Sequence, residues 1–142
     1  MLQHDLLGRF FEEGIPFNRH IGVKVVRIEA GFCRLRVPAR PDVLTGNPIL
    51  PALHGGVMSG VADAAGGLAV MTELDDSQSC STVDLRVDFL RRGDPSEDLF
   101  CEARVVRAGN RVAVTDCVLT QGERVVATAR AVYNVVNKAL GR

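Results

Sequence analysis

The chain lacks an excess charge of either sign: Lys+Arg and Asp+Glu each number 17 in 142 residues. Nucleic-acid binding as the main activity needs a basic excess on one face, so zero net charge argues against it. Near-zero charge also leaves little self-repulsion, which is compatible with oligomers. No C-x-x-C pair occurs among Cys33, Cys80, Cys101 and Cys117, and no histidine stands at metal-ligand spacing from them. The thiols read as small buried hydrophobes in a reducing compartment. His4, His20 and His54 form no metal cluster, and neither a metal nor a cofactor is expected. The start, MLQHDLLGRFFEEG, has no basic stretch leading into an apolar one, so no signal peptide is expected. The only long apolar run, Gly55–Met71, is 17 residues with Asp63 near its middle and five glycines. It is short for a membrane span, and a central carboxylate there is costly. A cytoplasmic protein without membrane or nucleic-acid partners is expected.

What is present fits one globular domain over residues 1–142. Hydrophobic residues make up 46% and charged residues 24%, ordinary values for a packed chain. Leu2, Leu6, Leu7, Phe10 and Phe11 predict a first helix over 2–13, stopped by Gly14 and Pro16. IGVKVVRIEAG from Ile21 and FCRLRVPA read as a hairpin turning at Ala30–Gly31. Residues 38–53 hold four prolines and a glycine without a visible period, the mark of a functional or mobile loop. A helix over 55–73 follows. SCSTVDLRVDFLRRG then alternates, with Val83, Leu85, Val87 and Phe89 on one face and Thr82, Asp84, Arg86 and Asp88 on the other. Three more strands follow, with turns at Gly109–Asn110 and Gln121–Gly122. One long apolar helix plus consecutive antiparallel strands predicts an α+β fold with a sheet packed on the helix.

On the helix, Met58, Val61, Ala62, Ala65, Leu68 and Ala69 recur at steps of three and four and predict the core-facing stripe. Asp63 lies off it, aligned with Gly56, Gly60 and Gly67. Each interior glycine costs about 1 kcal/mol against alanine, so the bare face serves either close backbone packing or the approach of a ligand or partner subunit. His54-Gly55-Gly56 precedes the helix. Its first N–H groups lack internal partners and favour negative charge, and glycine lets a carbonyl oxygen come close, the geometry of an oxyanion site. Gly55 and Asp63 stand about 12 Å apart along the helix axis, too far to share one reacting carbon. If both act, two antiparallel helices of a dimer supply one each.

LHGGVMSGVADAAGGLAV followed by STVDLRVDFLRRG resembles the hotdog-fold thioesterases, most closely their PaaI-like branch, and the element order agrees across nearly the whole chain. The resemblance implies a curved antiparallel sheet wrapped around one long helix, dimers paired edge to edge, and dimers or tetramers in solution. It implies that the Gly55 N–H polarises a thioester carbonyl. Asp63 of the other subunit would act as nucleophile or as general base for water. Thr82, or its neighbour Ser81, would help position that water, and His54 would shape the site. Asn47 is the nearest counterpart of an asparagine that relatives carry before the glycines. Gly56 and Met58 would line the substrate pocket, with residues 39–53 setting its depth. Arg91, Arg92, Asn110 and Arg111, with Arg107, match basic positions that contact the nucleotide end of coenzyme A; solvated strand-end charges are the alternative. The implied activity is hydrolysis of a medium-chain or aromatic acyl-CoA, with acyl carrier protein open as the carrier. The competing readings are a dehydratase, whose histidine–carboxylate motif is missing, and a non-catalytic acyl-CoA-binding or regulatory protein, against which Asp63 argues.

Overall fold

The computed structural model describes residues 2–139. Helix α1 (Leu2–Arg9) widens into a single π turn at Phe10–Gly14. Pro16 then opens a second helix, α2 (Pro16–Ile21), instead of ending the first. Proline suits a first helical position, where its missing N–H would have no partner. Gly22, at φ 82°, closes α2 in the left-handed region. The expected strand from Ile21 therefore starts later, as β1 (Lys24–Glu29), paired with β2 (Phe32–Val37) around the expected turn. Residues 38–53 are less irregular than expected. They hold the short helix α3 (Pro41–Leu44) and a small hairpin, β3 (Thr45–Asn47) with β4 (Ala52–Leu53).

Helix α4 (Gly55–Met71) ends two residues before the sequence expectation. The Thr72 hydroxyl donates to the Ala69 carbonyl and accepts the Gly31 N–H at 2.8 Å, tying the helix end to the β1–β2 turn. Strands β5 (Gln78–Phe89), β6 (Leu99–Ala108), β7 (Val112–Gln121) and β8 (Arg124–Asn137) complete a six-stranded antiparallel sheet in the order β1-β2-β6-β7-β8-β5. This is the α+β hotdog arrangement expected from the sequence: α4 packs on β2, β6, β7, β8 and β5. All six residues of the proposed core stripe are buried. Beneath α4 the sheet offers small groups. Cys33 donates its thiol to the Ala65 carbonyl and Cys117 its thiol to the Ala62 carbonyl, so these two and buried Cys101 fill core space as expected, whereas Cys80, expected to be buried with them, is only half-buried. No helix among the described residues is long and apolar enough to cross a membrane.

One strand departs from simple alternation, and the departure shapes the site. In β5, Thr82 pairs with Tyr133 and Asp84 with Val132, so Val83 is an extra residue opposite no partner. Such a bulge reverses which face the residues before it occupy. Leu85 and Val87 pack on the core as expected, but Val83 is 66% exposed. Thr82 turns toward the helix, with buried Tyr133, instead of joining Asp84 and Arg86 outside.

Candidate active site

The start of α4 leaves one amide unspent. His54 caps the helix by accepting the Gly56 N–H at Nδ1, 2.8 Å away, which places the proton of the neutral ring on Nε2. The His54 carbonyl takes the N–H groups of Val57 and Met58. The Gly55 N–H makes no hydrogen bond among the described residues. It sits at the positive end of the helix dipole, beside the half-exposed ring of Phe89. Capping by His54 thus selects Gly55, not Gly56, as the donor available to a carbonyl oxygen.

Two turns on, Asp63 is held from both sides. Thr82 donates its hydroxyl to Asp63 Oδ1 at 2.6 Å. Tyr133 donates its hydroxyl to the Asp63 main-chain carbonyl at 2.8 Å. Burial, and then the Asp63 charge, push the Tyr133 hydroxyl well above its ordinary range, so it stays a protonated donor. The same two causes push the Cys80 thiol up to about 11, which keeps it neutral and a poor nucleophile near pH 7. With one oxygen committed to Thr82, Asp63 retains Oδ2 for a water or a substrate.

Asp63 opens onto a cleft of about 350 Å³. Ala64, Gly67 and Met71 of α4 lie on one side, Cys80 and Thr82 of β5 on another, and the N-terminal segment contributes Phe10, Phe11, Ile15 and Phe17. The Phe17 ring lies directly over Gly60: a Cβ there would stand 2.7 Å from Phe17 Cε1. Close packing therefore accounts for Gly60, while Gly67 remains open.

The other sequence candidates separate by position. Ser81 borders the cleft but pairs with Asn134 on the outward side of β5, and Thr82 alone of the two bonds Asp63. Met58, 4% exposed, is packed in the core under α4 and does not line the cleft, because its place on the helix is that of the buried stripe. Asn47 spends its side-chain oxygen on the N–H groups of Ile49 and Leu50, a turn at the tip of the β3–β4 hairpin. Arg91 and Arg92 follow β5 at its Phe89 end and are exposed. Asn110 and Arg111 precede β7, whose Val112 pairs with Asn134 opposite Ser81. The two basic groups of one chain thus lie about 27 Å apart along the sheet.

Sequence reasoning missed Tyr133 and the aromatic wall. Tyr133 is the only tyrosine of the chain, and its inward parity in β8 was a usable signal. In the sequence, Phe10 and Phe11 read only as part of a helical stripe.

A family model described as thioesterase superfamily matches residues 50–132, which include α4 and the strands around Asp63. The medium/long-chain acyl-CoA thioesterase YigI of Escherichia coli (strain K12) is 35% identical over 144 residues, covering 92% of each chain. A crystal structure of a thioesterase superfamily protein superposes with a TM-score of 0.84 at 28% identity, covering 94% of this chain and 98% of that one. The PaaI protein of the Escherichia coli phenylacetic acid degradation operon, 20% identical, shares the fold at a TM-score of 0.83 over 96% of this chain and 95% of its own.

Proposed function

Because this chain belongs to the hotdog thioesterase superfamily and is a thioester hydrolase, we propose that it hydrolyses medium-chain acyl-CoA to the free acid and coenzyme A as one domain spanning residues 1–142. The observation that carries this reading is the Asp63 carboxylate, fixed by Thr82 at 2.6 Å on the floor of a largely apolar cleft. The name of the similar YigI protein supports an acyl-CoA substrate of medium or greater length.

In this mechanism the thioester carbonyl oxygen accepts the free Gly55 N–H, which stabilises the negative charge that develops as the carbonyl carbon is attacked. Asp63 Oδ2 takes a proton from the attacking water, acting as general base. The tetrahedral intermediate collapses with cleavage of the carbon–sulfur bond, and the thiolate of coenzyme A leaves, later taking up the proton. Direct attack by Asp63, giving an anhydride that water then opens, uses the same groups. Thr82 orients the carboxylate in either course, and Tyr133 fixes the helix at Asp63.

Gly55 and Asp63 lie eight residues apart on one straight helix, about 12 Å. Each site therefore takes Gly55 from one protomer and Asp63 from its partner, in a homodimer whose α4 helices run antiparallel. The unpaired outer edge of the 12-residue β5 suits the pairing. A two-fold axis there would also bring Arg91 and Arg92 of one chain toward Asn110 and Arg111 of the other, forming a single phosphate-binding end. Thiol release from an acyl-CoA panel tests the reading, with Asp63→Asn beside the parent. Tight binding without turnover by the parent would instead make the chain a binding protein.

A further inference from the structure

Three of the five glycines of α4 have a reason inside the chain. A Cβ at Gly56 would stand 2.9 Å from the His54 ring and one at Gly60 2.7 Å from the Phe17 ring, while one at Gly66 would collide with the Tyr133 oxygen and stand 2.7 Å from Thr115 Oγ1. Gly55 has its reason in the unspent amide. Gly67 has none: its nearest neighbour would be Tyr133 Cε1 at 3.6 Å, an ordinary contact. Alanine would fit and would form helix better. Gly67 lines the Asp63 cleft one turn beyond Asp63, with Met71 a further turn on, facing Phe10, Phe11 and Ile15. Much of the lining of this arm is apolar, and Cys80 and Asn18 also border the cleft.

We propose that Gly67 is a specificity-determining residue that keeps open a channel for an unbranched alkyl chain, running along α4 from Asp63 toward Met71. The inference rests on the acyl-CoA reading and narrows its substrate to linear acyl groups. From Asp63 to Met71 the helix advances about 12 Å, which an extended chain of roughly eight to ten carbons spans at C–C bonds of about 1.5 Å. Residue 67 stands about 6 Å along that path, so a large side chain there would block it after roughly four or five carbons.

Non-hydrolysable S-alkyl thioethers of coenzyme A, from ethyl to dodecyl, test this by titration calorimetry without requiring turnover. In the parent protein affinity should rise about fourfold per added methylene, the equivalent of about 0.8 kcal/mol, and level off near decyl. In Gly67→Leu the rise should stop near butyl or pentyl, lowering the decyl-to-butyl affinity ratio at least tenfold. Gly67→Ala, whose Cβ has room beside Tyr133, should lower that ratio about threefold and keeps the test decisive if the leucine variant does not fold. An unchanged ratio in folded Gly67→Ala and Gly67→Leu, or no thioether binding by the parent, would overturn the proposal. Thiol release from matching acyl-CoA esters separates the two readings. Length-dependent binding without hydrolysis would sink the hydrolase mechanism and leave the channel. Hydrolysis with an unchanged length ratio would sink the channel and leave the hydrolase.

Discussion

Gly55→Pro is the sharpest perturbation of the carbonyl-binding half of the site, because this position tolerates the loss of its N–H. Gly55 is the first residue of α4, where proline's ring and fixed φ suit the helix and no internal hydrogen bond is lost. The residue before a proline must be extended, and His54 already is, at φ −62° and ψ 127°. A Cβ at this position meets only the Phe89 ring, at 3.5 Å. The variant should therefore unfold within a few degrees of the parent. Its rate should not survive: removal of one oxyanion donor costs about 2.7–4 kcal/mol, or roughly 10²–10³ in kcat. Gly55→Ala keeps the N–H at nearly the same cost in space and should retain most activity. Thiol release from a saturating medium-chain acyl-CoA, alongside thermal melts, measures both properties. A folded Gly55→Pro with kcat within threefold of the parent would refute the assignment of this amide, and with it the choice of Gly55 over Gly56 made by the His54 cap.

Asp63→Asn should lower kcat by about 10²–10⁴, the range for loss of a general base, and mixing it with Gly55→Pro under demonstrated subunit exchange should restore part of the activity; absence of rescue would count against a shared site. Thr82→Val removes a hydrogen bond to a charged group, about 1.5–3 kcal/mol, and should reduce kcat/KM roughly ten- to a hundredfold, whereas outward-facing Ser81→Ala should change it less than threefold; equal losses would mean that the Val83 bulge does not select the hydroxyl. Gly66→Ala forces a methyl group against Tyr133 and Thr115 and should cost about 1–3 kcal/mol of stability, part of it recovered in the double variant with Tyr133→Phe; a melting temperature equal to the parent's would contradict the packing. Stability should also fall as pH rises from about 9 to about 11, because the unfolded Cys80 thiol ionises first while the folded one holds its proton to about 11; a urea midpoint that stays flat or rises over that window would exclude this contribution.

The sequence alone determined what depends on local periodicity. The buried stripe of α4, Asp63 lying off it, and the strand turns at Gly31 and Gly122 follow from spacings of three to four residues, from alternation and from turn chemistry, all of which act within a few residues. The distance between Gly55 and Asp63 was likewise legible, since a helix has a fixed rise. The tertiary structure decided what depends on partners distant in the chain. The one-residue bulge at Val83 is set by pairing with β8, and it turned Thr82 inward where alternation placed it outside. Asn47 was drawn into its own hairpin tip by the N–H groups of Ile49 and Leu50. Pro16 began a helix instead of ending one, which carried Phe17 onto Gly60. The five glycines of α4 look alike in sequence. Only the neighbours that fold against each one separate those that seat a ring or a hydroxyl from Gly55 and Gly67, which the fold itself leaves open.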